Sequence, residues 1–265
     1  MLELCHVEKA YGENKVLSDV NVKVNKDEIY GLIGKNGAGK TTIFKIILGL
    51  TNYTGDLSIK GNTNENELLE SRKKIGFFIG QNFFSYLNAK DNIEYYRQVK
   101  GIKDKGEVDR VLKIVDLDGV KVPFKSFSLG MKQRLGIANA ILGNPEILIL
   151  DEPINGLDPQ GISDVRNLIK TLNTEYKMTI VVSSHILGEL EHTATRFGIV
   201  HGGKIIKEIG LDDLTVEKDT LELKVDDLEK AKKVLQENNV RILAEKSGSK
   251  TLEDYYFELV GGNDA

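Results

Sequence analysis

The chain of 265 residues contains one cysteine, Cys5, so no intrachain disulfide can form and a reducing compartment is expected. As a free thiol, Cys5 reads as a small buried hydrophobe. Prolines number only four, and no proline-rich or low-complexity linker divides the chain. No uninterrupted apolar run approaches the ~18 residues needed to span a bilayer. The start, MLELCHVEKAYG, carries acids where a secretory signal needs a continuous apolar stretch. Action at a membrane therefore requires another chain to cross it. Positive charge is also in short supply. A formal net charge of −4 offers no overall field for nucleic acid. The imbalance is local: residues 211–265 hold 14 Asp and Glu against 8 Lys and Arg, leaving the first 210 at +2.

What is present fits a soluble globular protein, with 40% hydrophobic and 29% charged residues in a length suited to one large domain and a small appendix. Val20, Val22 and Val24 alternate with polar residues, and Leu57 and Ile59 repeat that strand period. Tyr30 to Gly34 reads as a buried strand, followed by an apolar-rich helix over Thr41–Leu50. Another strand is expected over Lys74–Ile79. Residues 82 to about 145 change character: helical periodicity over 91–96 and 105–117, with no comparable strand, marks a helical insertion. Strands resume at Ile147–Leu150, Thr179–Ser183 and Gly198–Val200, and Gly202-Gly203 signals a hairpin into 204–209. Strands alternating with helices imply an α/β fold, with a mainly parallel sheet covered on both faces. The expected organisation is a large domain over 1–212 and a small α/β appendage over 213–265. In the appendage 221–225 alternates and Leu228–Leu235 is amphipathic.

Gly34-Lys35-Asn36-Gly37-Ala38-Gly39-Lys40-Thr41 satisfies G-x-x-x-x-G-K-[ST], a loop whose backbone N–H groups cradle phosphates. Gly34, Gly37 and Gly39 are read as allowing close phosphate approach. The following helix, with Thr42 in its first turn, adds its positive N-terminus. Lys40 is expected to reach the β- and γ-phosphates of a nucleoside triphosphate and Thr41 to ligate Mg²⁺. Ile147-Leu-Ile-Leu-Asp-Glu152 is an apolar strand ending in two carboxylates. Asp151, with Thr41 and an amide oxygen of Gln81, forms an oxygen shell suited to Mg²⁺. Glu152 is placed to orient and deprotonate water. Gln81 alone carries little information. A histidine such as His185, after Val181-Val-Ser-Ser, is by itself more often structural than catalytic; at the end of a core strand beyond the Asp-Glu strand it reads as a partner of the γ-phosphate and the water.

Phe127-Ser-Leu-Gly-Met-Lys-Gln-Arg134 lies about 20 residues before Asp151. It resembles the LSGGQ-x-Q-R signature of ABC-type ATPases. The order also matches across residues 2 to 210: Tyr11, the phosphate loop, Gln81, the signature, Asp151-Glu152, Asn155-Gly-Leu-Asp158 and His185. The resemblance implies a P-loop core with an antiparallel β subdomain and places Tyr11 against adenine. It also implies a head-to-tail homodimer, or pair of ABC subunits, in which Ser128 and Gly130 close on the partner's ATP and Asp158 links the sites. Leu129 and Met131 depart from the signature's glycine and glutamine, while Ser128 and Gly130 are intact. The form S-L-G-M-K-Q-R and the tail 252–262 look like the bacitracin-resistance and lantibiotic-immunity branch. That branch implies a cytoplasmic subunit, peripheral on the inner membrane face, that powers a separate polytopic permease. Phe83, Phe84 and Tyr86 fall where such relatives receive the permease, and they serve equally as core of the insertion.

Three other readings are weaker. Export of a different cargo would leave all these motifs unchanged. Soluble ABC proteins of the ribosome usually have two ATPase domains, and those of DNA insert long coiled coils, whereas roughly 110 positions separate Thr41 from Asp151. No nucleic-acid partner is expected. A P-loop kinase would leave the signature and His185 unexplained.

Overall fold

The computed structural model describes residues 1–80, 82–191, 193–210, 225–238, 240 and 242. The chain divides into two compact units, Met1–Ile209 and Gly210–Ala265.

In the first unit, β1 (Leu2–Tyr11), β2 (Asn14–Val24) and β4 (Thr54–Ile59) form an antiparallel sheet in the order β2-β1-β4. Leu2 pairs with Val24 and Ile59, and Leu4 with Val22 and Leu57, so the alternating apolar residues of all three strands share one face. The register then slips beyond Leu4, where His6 takes a left-handed φ of 51°. This bulge reverses the inward parity, so Val7 and Lys9 are buried after Leu2 and Leu4. Cys5 sits at the slip and is half-buried, which corrects the fully buried thiol expected from its residue type.

The second sheet has the order β5-β6-β7-β3-β8-β9, with β3 (Ile29–Ile33), β5 (Ile75–Phe78), β6 (Ile147–Leu150), β7 (Thr179–Ser184), β8 (Arg196–His201) and β9 (Lys204–Gly210). All pairs from β5 to β8 are parallel. Every residue of β3, β6 and β7 is buried, as strands covered on both faces must be. One core cluster joins the sheets around α1 (Lys40–Ile47): Leu4, Val22, Phe44, Leu57, Ile149 and Val181 belong to it. That packing fixes the start of α1 beside the carboxyl ends of the parallel strands, where ligands of open α/β sheets bind.

The other helices of this unit are α2 (Glu65–Arg72), α3 (Ala89–Val99), α4 (Gly106–Ile114), α5 (Leu129–Ala140), α6 (Pro159–Thr174) and α7 (Leu187–Glu191). Helices α3, α4 and α5 pack on one another, and α5 on β5. Residues 82–88 are not helical. Buried Asn92 pins them: its side chain accepts from Phe84 N at 2.8 Å and donates to the carbonyls of Phe84, Leu87 and Asn88. α4 is shorter than the expected span because Asp116 turns left-handed at φ 55°. Helix α2 has no readable apolar stripe, since only Leu68 and Ser71 of its eight residues are buried.

The aromatic cluster has an inner and an outer part, joined where Tyr95 meets Tyr96 edge-on at 5.3 Å. Phe83 packs on Tyr96 and on buried Phe124, whereas Phe84 stacks edge-on against Tyr95 at 4.8 Å and leans on Tyr86 at 5.9 Å. Tyr95 and Tyr86 are 45% and 71% exposed and Phe84 is half-buried against them, so this outer part reaches solvent.

In the second unit α8 (Leu228–Glu237) is capped by Asp227, which accepts from Lys230 N at 3.0 Å. The expected strand over 221–225, except Val225, and the tail 252–262 lie outside the described residues. Among the described residues no helix is long and apolar enough to cross a membrane.

Candidate active site

The phosphate loop runs from the end of β3 into α1. Its glycines serve different ends. A Cβ on Gly34 would lie 2.4 Å from the Val200 carbonyl oxygen, so Gly34 lets the loop pack on β8 rather than admitting a phosphate. Gly39, at φ 113°, is the N-cap of α1 and offers no side-chain acceptor. The first-turn N–H groups of α1 are thereby left for an anionic ligand. Lys35, Asn36 and Gly37 are exposed around the loop, and Ala38 N closes its turn onto Lys35 O at 3.1 Å.

Lys40 points back under the loop and is only 5% exposed. Its ammonium donates to the carbonyls of Gly34 and Lys35 and faces Glu152 Oε1 at 3.1 Å. The last contact is an ion pair without hydrogen-bond geometry, leaving Oε1 with no donor. Thr41 Oγ1 donates to Asp151 Oδ2 at 2.7 Å. The other oxygen, Oδ1, accepts from Ser183 Oγ at 2.7 Å, and the same hydroxyl accepts from Glu152 N at 2.9 Å. Glu152 holds a left-handed φ of 51°, a strained conformation for a residue with a Cβ. Its Oε2 meets His185 Nδ1 at 2.7 Å and His185 N at 3.3 Å. The carboxylate is 20% exposed and thus sits between a buried cation and an imidazole at the mouth of the loop.

Thr41 with Asp151, and Lys40 and His185 with Glu152, therefore form two contact sets that the Ser183 hydroxyl joins into one group. The His185 ring is held on Glu152. Gln81 lies outside the described residues. Tyr11 ends β1 with its ring 46% exposed, and the Lys9 ammonium covers one face at 4.5 Å. Hydrogen bonding to Thr51 lowers its phenol pKa, with smaller contributions from the Lys9 and Lys45 charges and from Thr42 of α1.

Ser128 and Gly130 stand apart from this group. Ser128 is the N-cap of α5 and accepts from Met131 N at 3.2 Å. Asp158 caps α6 through Gly161 N at 3.0 Å. The two helix starts line one cleft of about 320 Å³, where Leu129 lies against Gly156. Among the described residues no hydrogen bond or ion pair joins Ser128, Gly130 or Asp158 to Lys40, Thr41, Asp151, Glu152 or His185. One chain thus presents two separate helix N-termini suited to anions.

Ser183 was not among the residues singled out from the sequence. Its signal there is a hydroxyl that follows the apolar run Ile180–Val182 of a buried parallel strand.

The ABC transporter family matches residues 17–155. The chain is 38% identical to the bacitracin transport ATP-binding protein BcrA of Bacillus licheniformis, over 96% of this chain and 95% of that protein. It is 43% identical to the lantibiotic transport ATP-binding protein SrtF of Streptococcus pyogenes, over 78% of this chain and 90% of that protein. Among solved structures it resembles the dimeric post-hydrolysis state of the ATP-binding cassette MJ0796 bound to ADP and Pi. The TM-score is 0.71 at 29% identity, over 80% of this chain and 99% of that one. With a family match over residues 17–155 and relatives similar along nearly the whole chain, the protein belongs to the ABC transporter family as an ATPase subunit.

Proposed function

We propose that this ATPase drives export of a peptide antibiotic, of bacitracin or lantibiotic type, through a separate membrane permease. The observation that carries the catalytic part is the single carboxylate shared by Lys40 and His185 at the phosphate loop. The triphosphate of ATP sits on the N-terminus of α1, and its β- and γ-oxygens compete with Glu152 for the Lys40 ammonium. Losing that ion pair turns the Glu152 carboxylate toward the attacking water. His185 keeps it oriented, and Glu152 takes the proton as the water attacks the γ-phosphorus.

Thr41 and Asp151 offer adjacent hard oxygens, one neutral and one anionic, which fits Mg²⁺ completed by waters and phosphates. Gln81 is assigned as a third ligand. When bound, the ion neutralises charge on the phosphate oxygens.

The separate helix start at Ser128 and Gly130 supports a head-to-tail dimer in which each copy closes on its partner's ATP. Tyr11 stacks on the adenine, and Asp158 stands beside the seam. Ser128→Arg, which puts a long side chain in the cleft, is expected to leave nucleotide binding by the monomer intact. It should abolish the ATP-dependent dimer in light scattering and reduce turnover to near background. A dimer of normal stability would refute the contact.

The outward-facing Phe84, Tyr86 and Tyr95 are the surface assigned to the permease, at the cytoplasmic face of the membrane. Phe84→Ala removes two ring contacts and is expected to uncouple hydrolysis from transport while ATP binding persists. Full transport by the folded variant would count against this surface. The cargo is tested by co-expressing the chain and its permease in a susceptible cell. Tolerance to bacitracin or a lantibiotic should rise with the wild type and not with Glu152→Gln. Unchanged susceptibility to both would overturn the cargo and leave the ATPase standing.

A further inference from the structure

We infer that Ser183 is a positioning residue that fixes the metal-side acid and the water-side acid with one hydroxyl. A hydroxyl has one proton to donate and lone pairs to accept with. In Ser183 the proton goes to Asp151 Oδ1 at 2.7 Å and a lone pair receives Glu152 N–H at 2.9 Å. With Thr41 on Oδ2, both oxygens of Asp151 are held in direction. Strand register brings this about. β6 and β7 pair in parallel with Leu150 opposite Val182, so the next residues, Asp151 and Ser183, fall side by side on one face. Strand β6 ends at Leu150, and Asp151 N is taken by Phe78 O on β5.

Glu152, one step further, has left the ladder. Its left-handed backbone is anchored by the Ser183 oxygen, in a side chain wholly buried from solvent. The contact therefore fixes where the Glu152 carboxylate starts out, between Lys40 and His185. An apolar residue at this point would leave a buried amide and one carboxylate oxygen without partners. It would also free Asp151 to rotate about Oδ2.

This inference rests on the proposed roles of Asp151 and Glu152. Threonine and valine differ by little more than hydroxyl against methyl, so Ser183→Thr and Ser183→Val separate hydrogen bonding from size, with Ser183→Ala as the small apolar control. The full chain is assayed for kcat and for KM of ATP. The affinity for Mn²⁺ in the presence of ADP is read from the paramagnetic resonance of the free ion. Misplacing a reacting group by ~1 Å costs about 10²-fold, so kcat of Ser183→Val is expected to fall by about that much. KM should move little, because α1 and Lys40 are untouched. Loss of an outer-shell partner weakens metal affinity by about tenfold or more, and Mn²⁺ binding should show it. Ser183→Thr should recover most of both losses.

Wild-type turnover and Mn²⁺ affinity in folded Ser183→Val overturn the proposal, as does a Ser183→Thr as impaired as the valine variant, which would assign the effect to size. Where Ser183→Val does not fold, Ser183→Ala is judged by the same two readouts. Glu152→Gln is run beside them. Should it turn over normally, the role of Glu152 falls, and Mn²⁺ affinity alone decides on Ser183.

Discussion

Glu152→Gln is expected to lower ATP turnover by about 10²–10⁴-fold, the scale of losing a general base. The substitution preserves shape and removes charge. A glutamine oxygen can still face Lys40, and its NH₂ can donate to His185 Nδ1 in the tautomer that leaves this nitrogen unprotonated. Both neighbours at 3.1 and 2.7 Å thus keep a partner, and only the longer contact from His185 N is lost. The fold should survive, and lost activity then reports chemistry rather than collapse. What glutamine cannot do is take a proton from water.

A second consequence distinguishes this residue from any other acid of the site. ATP held between an α1 start and a partner's α5 start is expected to bridge two copies until it is cleaved. The variant should therefore accumulate as an ATP-bound dimer in scattering measurements, where the wild type returns to monomer as ATP is consumed. Wild-type turnover in Glu152→Gln removes Glu152 from the reaction. A hydrolysis-dead variant that stays monomeric with saturating Mg²⁺ and ATP, even with its permease, removes the shared site.

Much of the arrangement was legible in the sequence because its parts are contiguous. A phosphate loop needs glycines, a lysine and a hydroxyl at fixed spacing, so Gly34 to Thr41 could be read as a unit. An apolar strand ending in Asp151-Glu152 places its carboxylates at the strand terminus whatever the surrounding fold. What could not be read depends on residues far apart in the chain. The reason for Gly34 is the Val200 carbonyl, 166 positions later. The inward turn of Lys9 follows from a register slip near His6, invisible to a period of two. Helix α2 buries too little to show a stripe. Ser183 reveals its partners only once β6 lies beside β7. The ion pair between Lys40 and Glu152 belongs to the same class, and it changes what the lysine substitution should do.

Lys40→Ala removes a nearly buried ammonium that holds the loop carbonyls and faces Glu152. Hydrogen bonds to charged groups contribute about 1.5–3 kcal/mol, so ATP affinity should fall by roughly 10–100-fold. Loss of a charge-stabilising donor at the reacting phosphate should lower turnover by on the order of 10²–10³-fold. Unchanged affinity and rate would refute the role of Lys40. The contact with Glu152 adds a sharper test. In the wild type, part of the attraction between Lys40 and the phosphates goes to breaking the existing ion pair. Glu152→Gln removes that competitor, so ATP should bind at least as tightly to this variant as to the wild type. Removing Lys40 should then cost more affinity in the glutamine background than in the native one. The two substitutions touch the same pair of side chains, and non-additivity is what contact predicts. Equal losses of ATP affinity in both backgrounds, measured by equilibrium titration, would mean that the phosphates do not have to take Lys40 from Glu152.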